Sequence, residues 1–132
     1  MDIEGLLRSL NGRKARYVVI EATAFPVYGY ARATLDLDLF IDATVENAAR
    51  VRAALADFGY DLTDVSAEEL RTKKILIRQY AVETDIHPFV KGVASFDDVW
   101  ARRVEDRIGD VPVPFASLDD LIRMKEAAGV RP

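Results

Sequence analysis

The sequence predicts an α/β (α+β) fold, a mixed β-sheet with helices packed mainly on one side, and two alternating stretches with a helix between them predict it. In the first stretch Leu35, Leu37, Leu39 and Ile41 fall on one side and Asp36, Asp38, Phe40 and Asp42 on the other. The second runs from Tyr80 to His87, with Ala81, Glu83, Asp85 and His87 on one face and Val82, Thr84 and Ile86 on the opposite one. Between them, Val45 to Phe58 reads as a helix with Val51, Leu55 and Phe58 on its inner side. Strands with one apolar face, joined through an amphipathic helix, are buried most simply as a sheet covered by helices.

Taken in order, Ile3 to about Leu10 reads as a short helix stopped by Asn11-Gly12. Tyr17-Val18-Val19-Ile20 is a buried strand, followed by the small-residue segment Glu21 to Ala24 and then the acidic strand. Thr44 is placed to cap the Val45–Phe58 helix and Gly59 to terminate it. Ser66 with Glu69 forms a capping-box signature for a brief helical turn reaching Leu70. Lys73 to Gln79 and Tyr80 to His87 read as two strands without a strong turn signal at their join. Ser95 is expected to cap a helix from Phe96 to about Val104, in which Trp100 packs against neighbours. Val111 to Phe115 reads as a short edge strand, because Pro112 and Pro114 cannot donate to a ladder. A last helix begins at Ser117, with Asp120 as its partner at the third helical position.

No linker, repeat or low-complexity tract interrupts this order, so residues 1–132 are read as a single domain. With 132 residues, half of them hydrophobic, the chain can bury a substantial core. Eighteen basic against 22 acidic residues give a net charge of −4, which argues against attachment to nucleic acid by bulk electrostatics. The basic groups Arg13, Lys14 and Arg16, then Arg71, Lys73 and Lys74, then Arg102, Arg103 and Arg107, read as solvated surface in preference to a phosphate track. The absence of cysteine excludes disulfides, thiol nucleophiles and cysteine-ligated metals, and a lone histidine excludes multi-histidine sites. No apolar run has the length of a membrane span and no signal peptide is evident, so a soluble, cytoplasmic protein without a membrane partner is expected.

The chemistry concentrates in the carboxylates. At about 3.3 Å rise per residue, Asp36 and Asp38 should stand roughly 6 to 7 Å apart at Cα, close enough to share a divalent ion. Asp85 offers a third carboxylate from a strand that can lie alongside. An alternating strand with acids on one side also fits a sheet with a wet face. His87, two residues from Asp85 on the same face, reads either as a group that orients a carboxylate or carries a proton, or as a polar strand end before Pro88.

This order of parts, with Arg32-x-Thr34-x-Asp36-x-Asp38 at its centre and Ser117 to Gly129 at its close, resembles the polymerase-β-type nucleotidyltransferase superfamily. The similarity is greatest to its small stand-alone members, including abortive-infection and toxin-antitoxin nucleotidyltransferases, and runs from about Tyr17 onward. The resemblance implies a nucleotidyltransferase-type fold and transfer of a nucleotidyl group from a nucleoside triphosphate to a hydroxyl acceptor. It implies Asp36, Asp38 and Asp85 as catalytic ligands of Mg2+ (or Mn2+), with Glu21, Ala22, Arg32, Thr34 and Lys125 at the nucleotide. The acceptor is left open among tRNA, a protein hydroxyl, an antibiotic or another small molecule.

The chain departs from the family at Glu21 and Ala22, where relatives carry Gly-Gly or Gly-Ser, and at Tyr28, where many carry histidine. Glycine suits the first place because backbone must approach phosphate oxygens, often in a conformation that a Cβ disfavours. The resemblance therefore also admits a degenerate fold acting as a binding or regulatory partner, such as one component of a toxin-antitoxin pair. A plain structural domain with decorative surface acids is the remaining reading.

Overall fold

The alternation of the acidic strand becomes a sheet with two unlike faces. The computed structural model describes residues 2–21, 24, 36–80 and 82–129. Its strands are β1 (Tyr17–Ile20), β2 (Asp36–Ile41), β3 (Ile75–Ile77), β4 (Glu83–His87), β5 (Val104–Ile108) and β6 (Val111–Phe115). Its helices are α1 (Ile3–Gly12), α2 (Val45–Phe58), α3 (Ala67–Thr72), α4 (Phe96–Ala101) and α5 (Leu118–Ala127). All six strands join one mixed sheet in the order β3-β4-β2-β1-β6-β5. The β1–β2, β3–β4 and β5–β6 pairs are antiparallel, whereas β2–β4 and β1–β6 are parallel. The expected α/β class with a mixed sheet is what the chain adopts.

One sheet face carries Tyr17, Val19, Leu37, Leu39, Ile41, Thr84 and Ile86 into the main core with α1 and α2. Thr84 is fully buried there, and its hydroxyl lies 2.9 Å from that of Tyr60, which also donates to the carbonyl of Val82. On the opposite face Val18 and Phe40 lie under α4, where Phe96 meets the Phe40 ring edge-on at 5.3 Å between centroids. Trp100 stacks on Phe96, with the guanidinium groups of Arg16 and Arg103 at 5.1 and 3.8 Å from its ring centre, the packing role expected of it. Beyond Phe40 the same face turns acidic at Asp38 and Asp36.

Local signals explain most boundaries. Thr44 accepts from the Asn47 amide and Gly59 closes α2 with φ 118°, both as expected. The Ser66–Glu69 capping box forms with both of its hydrogen bonds. Ser117 accepts from the Asp120 amide at the start of α5. Four expectations need correction. Helix α1 runs on through Gly12, because Lys14 rather than glycine takes the left-handed turn at φ 57°. Strand β3 keeps only three residues, and the join to β4 is made by Tyr80 at φ 61°, an unusual place for a bulky residue. Helix α4 stops at Ala101, and Val104 opens β5, whose hairpin with β6 turns through Gly109 at φ 59°. Consequently β6 is not an edge strand. It sits between β5 and β1, and Val19 with Phe115 is the registered pair on its β1 side.

Candidate metal centre

Strands β2 and β4 run parallel with Asp36 opposite Glu83, Asp38 opposite Asp85 and Phe40 opposite His87. Residues in register across a ladder point to the same face, so the four acids form two facing pairs on the face of the sheet that carries Val18 and Phe40. Like charges directly opposite one another destabilise a ladder unless a cation sits between them. The chain supplies cations from its edge strand. Arg78, just past β3, places Nη1 2.6 Å from Asp85 Oδ1 and Nε 3.5 Å from Glu83 Oε2. Lys74, just before β3, brings Nζ within 3.9 Å of Asp85 Oδ2. The Arg78 guanidinium is held above its ordinary pKa first by its hydrogen bond to Asp85, which together with the charges of Asp85, Glu83 and Asp36 outweighs burial.

At the inner end of the site His87 Nε2 lies 2.8 Å from Asp38 Oδ1. A carboxylate oxygen from each of Asp38 and Asp85 and a ring nitrogen of His87 all fall within 4.8 Å of one another. Bonds of roughly 2.0 to 2.2 Å around one ion place its ligand atoms within about that spread. Two hard carboxylates and one imidazole therefore fit a divalent cation such as Mg2+ or Mn2+. The side chains of Asp38, Asp85 and His87 are 17%, 18% and 12% exposed, half-sheltered but reachable. Asp36, expected as the partner of Asp38, is exposed at the start of β2 and stands outside this close group, acting electrostatically on Arg78.

A second pairing lies at the end of β1. Ile20 is opposite Asp38, so Glu21 leaves the sheet directly beside the acidic face. Glu21 has φ 63°, in the left-handed region where a side chain costs energy and glycine does not. Its carboxylate meets Lys125 of α5, with Nζ 3.0 Å from Oε2, so two residues expected at the nucleotide are brought together as an ion pair. Ala22, Arg32 and Thr34, expected to join them, lie outside the described residues, as does Tyr28.

Arg78 went unrecognised in the sequence, although the signal is there. Lys74, Leu76 and Arg78 are spaced by two, and Leu76 pairs with Asp85, so that row faces the acids. Compared with protein-family models, with curated proteins and with solved structures, the chain matches none. Among the described residues, no helix is long and apolar enough to cross a membrane.

Proposed function

We propose that the chain is a Mg2+- or Mn2+-dependent nucleotidyltransferase, with Asp38 and Asp85 holding the ion and Asp36 extending the site. The observation that carries this reading is the direct register of Asp38 with Asp85 across two parallel strands, with His87 beside them on the same sheet face. Left-handed Glu21 at the end of β1 and Lys125 reaching it from α5 add support, since both positions are those at which the resembling family meets phosphate.

In the reaction a hydroxyl oxygen of the acceptor bonds to the α-phosphorus, the bond to the β-phosphate oxygen breaks, and pyrophosphate leaves. A bound divalent ion supplies neutralisation of phosphate charge and a lower pKa for the attacking hydroxyl. The protein supplies position. Asp38 is oriented by His87, Asp85 stands ready to accept the hydroxyl proton, and Lys125 balances charge on the phosphates. The acceptor is a hydroxyl of tRNA, protein or a small molecule.

The second reading, a degenerate relative working as a binding or regulatory partner in a toxin-antitoxin pair, is favoured by one observation. The Glu21 carboxylate already occupies Lys125. Incubation with each labelled nucleoside triphosphate, Mg2+ or Mn2+, and total cell RNA or protein separates the two. Transfer of label that Asp38→Asn lowers by about a hundredfold or more supports the enzyme. Absence of transfer with every nucleotide and acceptor pool supports the second reading.

A further inference from the structure

We propose that Arg78 is a built-in counter-ion that occupies the acidic face until a cation-bound polyphosphate arrives, and then exchanges Asp85 for a phosphate oxygen. The inference rests on the metal-site reading of Asp38 and Asp85. Its basis is a coincidence of atoms: the carboxylate that a divalent ion needs is the one that Arg78 grips at 2.6 Å, with Glu83 as a second hold at 3.5 Å. Arg78 lies at the mouth of the site, its side chain 47% exposed against 18% for Asp85. It follows a three-residue edge strand and precedes the turn at Tyr80, so its long side chain can swing without disturbing the ladder.

Charge sets the order of events. With Arg78 in place, a bare divalent ion must approach a guanidinium and displace it from Asp85, leaving it only the longer contact to Glu83. A divalent ion carried by a polyphosphate brings anionic oxygens that take the guanidinium as it leaves, and Arg forks bind phosphate as well as carboxylate. Arg78 thereby makes the site select the ion–polyphosphate complex over the free ion. Ion and anion binding become reciprocally coupled through one side chain.

The test compares calorimetric titrations of Mn2+ alone and of the manganese–tripolyphosphate complex into the parent, Arg78→Gln, Asp38→Asn and Arg50→Gln. Arg50, exposed on the outer side of helix α2, controls for the loss of one positive charge. The parent should bind the complex more tightly than the free ion. Arg78→Gln should bind free Mn2+ about two- to fivefold more tightly than the parent, the range of a partly exposed ion pair, and lose most of the preference for the complex. Free-ion affinity unchanged in Arg78→Gln, or raised equally in Arg50→Gln, overturns the exchange, while loss of binding in Asp38→Asn keeps the metal site. If neither the parent nor Arg78→Gln binds Mn2+ in either form, both readings fall. Should Arg78→Gln melt far below the parent, Arg78→Lys carries the same test, since an ammonium cannot bridge Asp85 and Glu83 as the guanidinium does.

Discussion

Asp120 is fully buried, yet it is held by three side chains: Arg102 with two hydrogen bonds near 3.0 Å, Arg123 at 2.9 Å, and the Ser117 cap beneath it. Burial pushes its pKa up, but the hydrogen bonds from Arg102 and Ser117, the Arg102 charge and Arg123 together bring it below the ordinary 3.8. A depressed folded-state pKa contributes stability that is present above the unfolded value and lost as pH falls through the folded one. Asp120→Asn should therefore destabilise the protein by about 1 to 3 kcal/mol near neutrality, a range kept low because both arginines are half exposed. Below about pH 4 the difference should shrink, and chemical denaturation at pH 7 and pH 3 measures it. Glu21 calls for the opposite kind of change. Replacing it with glycine relieves the left-handed backbone and removes one carboxylate from beside Lys125, so the affinity for tripolyphosphate with Mg2+ should rise several-fold, about 1 kcal/mol. A calorimetric titration with no gain would show that the Glu21–Lys125 pair guards no anion.

At the level of elements, the turns locked by chemistry were legible and those locked by tertiary contact were not. Thr44, Gly59, Ser66, Glu69 and Ser117 act through their own backbone neighbours, so their positions alone announced α2, α3 and α5. The β5–β6 hairpin carried a readable Gly109-Asp110 turn, but the charged, solvent-facing residues of β5 hid its strand character. Placing β6 at an edge followed from its prolines, whereas the sheet instead tolerates them by keeping the ladder toward β1 short. The candidate site was readable to the extent that it alternates. Asp85 and His87 share a face by period, as do Asp36 and Asp38, but the two pairs meet only through the β2–β4 register, and Arg78 joins them only through the fold of a strand whose partner register no local signal gives. Gly92, in the connection from β4 to α4, shows the same dependence on distant contact. It has φ 98°, and a Cβ there would lie 2.4 Å from the Arg123 carbonyl oxygen of α5. Gly92→Ala combines a disfavoured conformation with a backbone clash and should lower stability by about 2 kcal/mol or more. Thermal melting of the variant beside Gly12→Ala, whose Cβ meets nothing within 4 Å, isolates the effect.

For the molecule as a whole, the two halves of the sheet serve different ends. The covered face supplies stability through Leu37, Leu39, Ile41 and Ile86, all fully buried, and this rigid layer holds the acids on the other face in register. Two facing acid pairs with Arg78, Lys74 and His87 around them form a region whose charges are only locally balanced, so the folded state should respond to divalent cations more than the unfolded chain does. A ligand that binds the native state alone stabilises by mass action, about 2.7 kcal/mol at a hundred times its dissociation constant. In a domain of this size that is a rise in Tm of roughly 10 °C. Saturating Mn2+ should produce such a rise in the parent, and Asp38→Asn should abolish most of it. Without metal the variant should melt at or slightly above the parent, because one of two facing carboxylates is gone while an amide can still bond His87. Melting curves with and without Mn2+, at fixed ionic strength so that screening is constant, decide the matter. A parent insensitive to the ion would leave Arg78 and Lys74 as the permanent partners of Asp85, and the acidic face as a salt-bridged surface with no ion to hold.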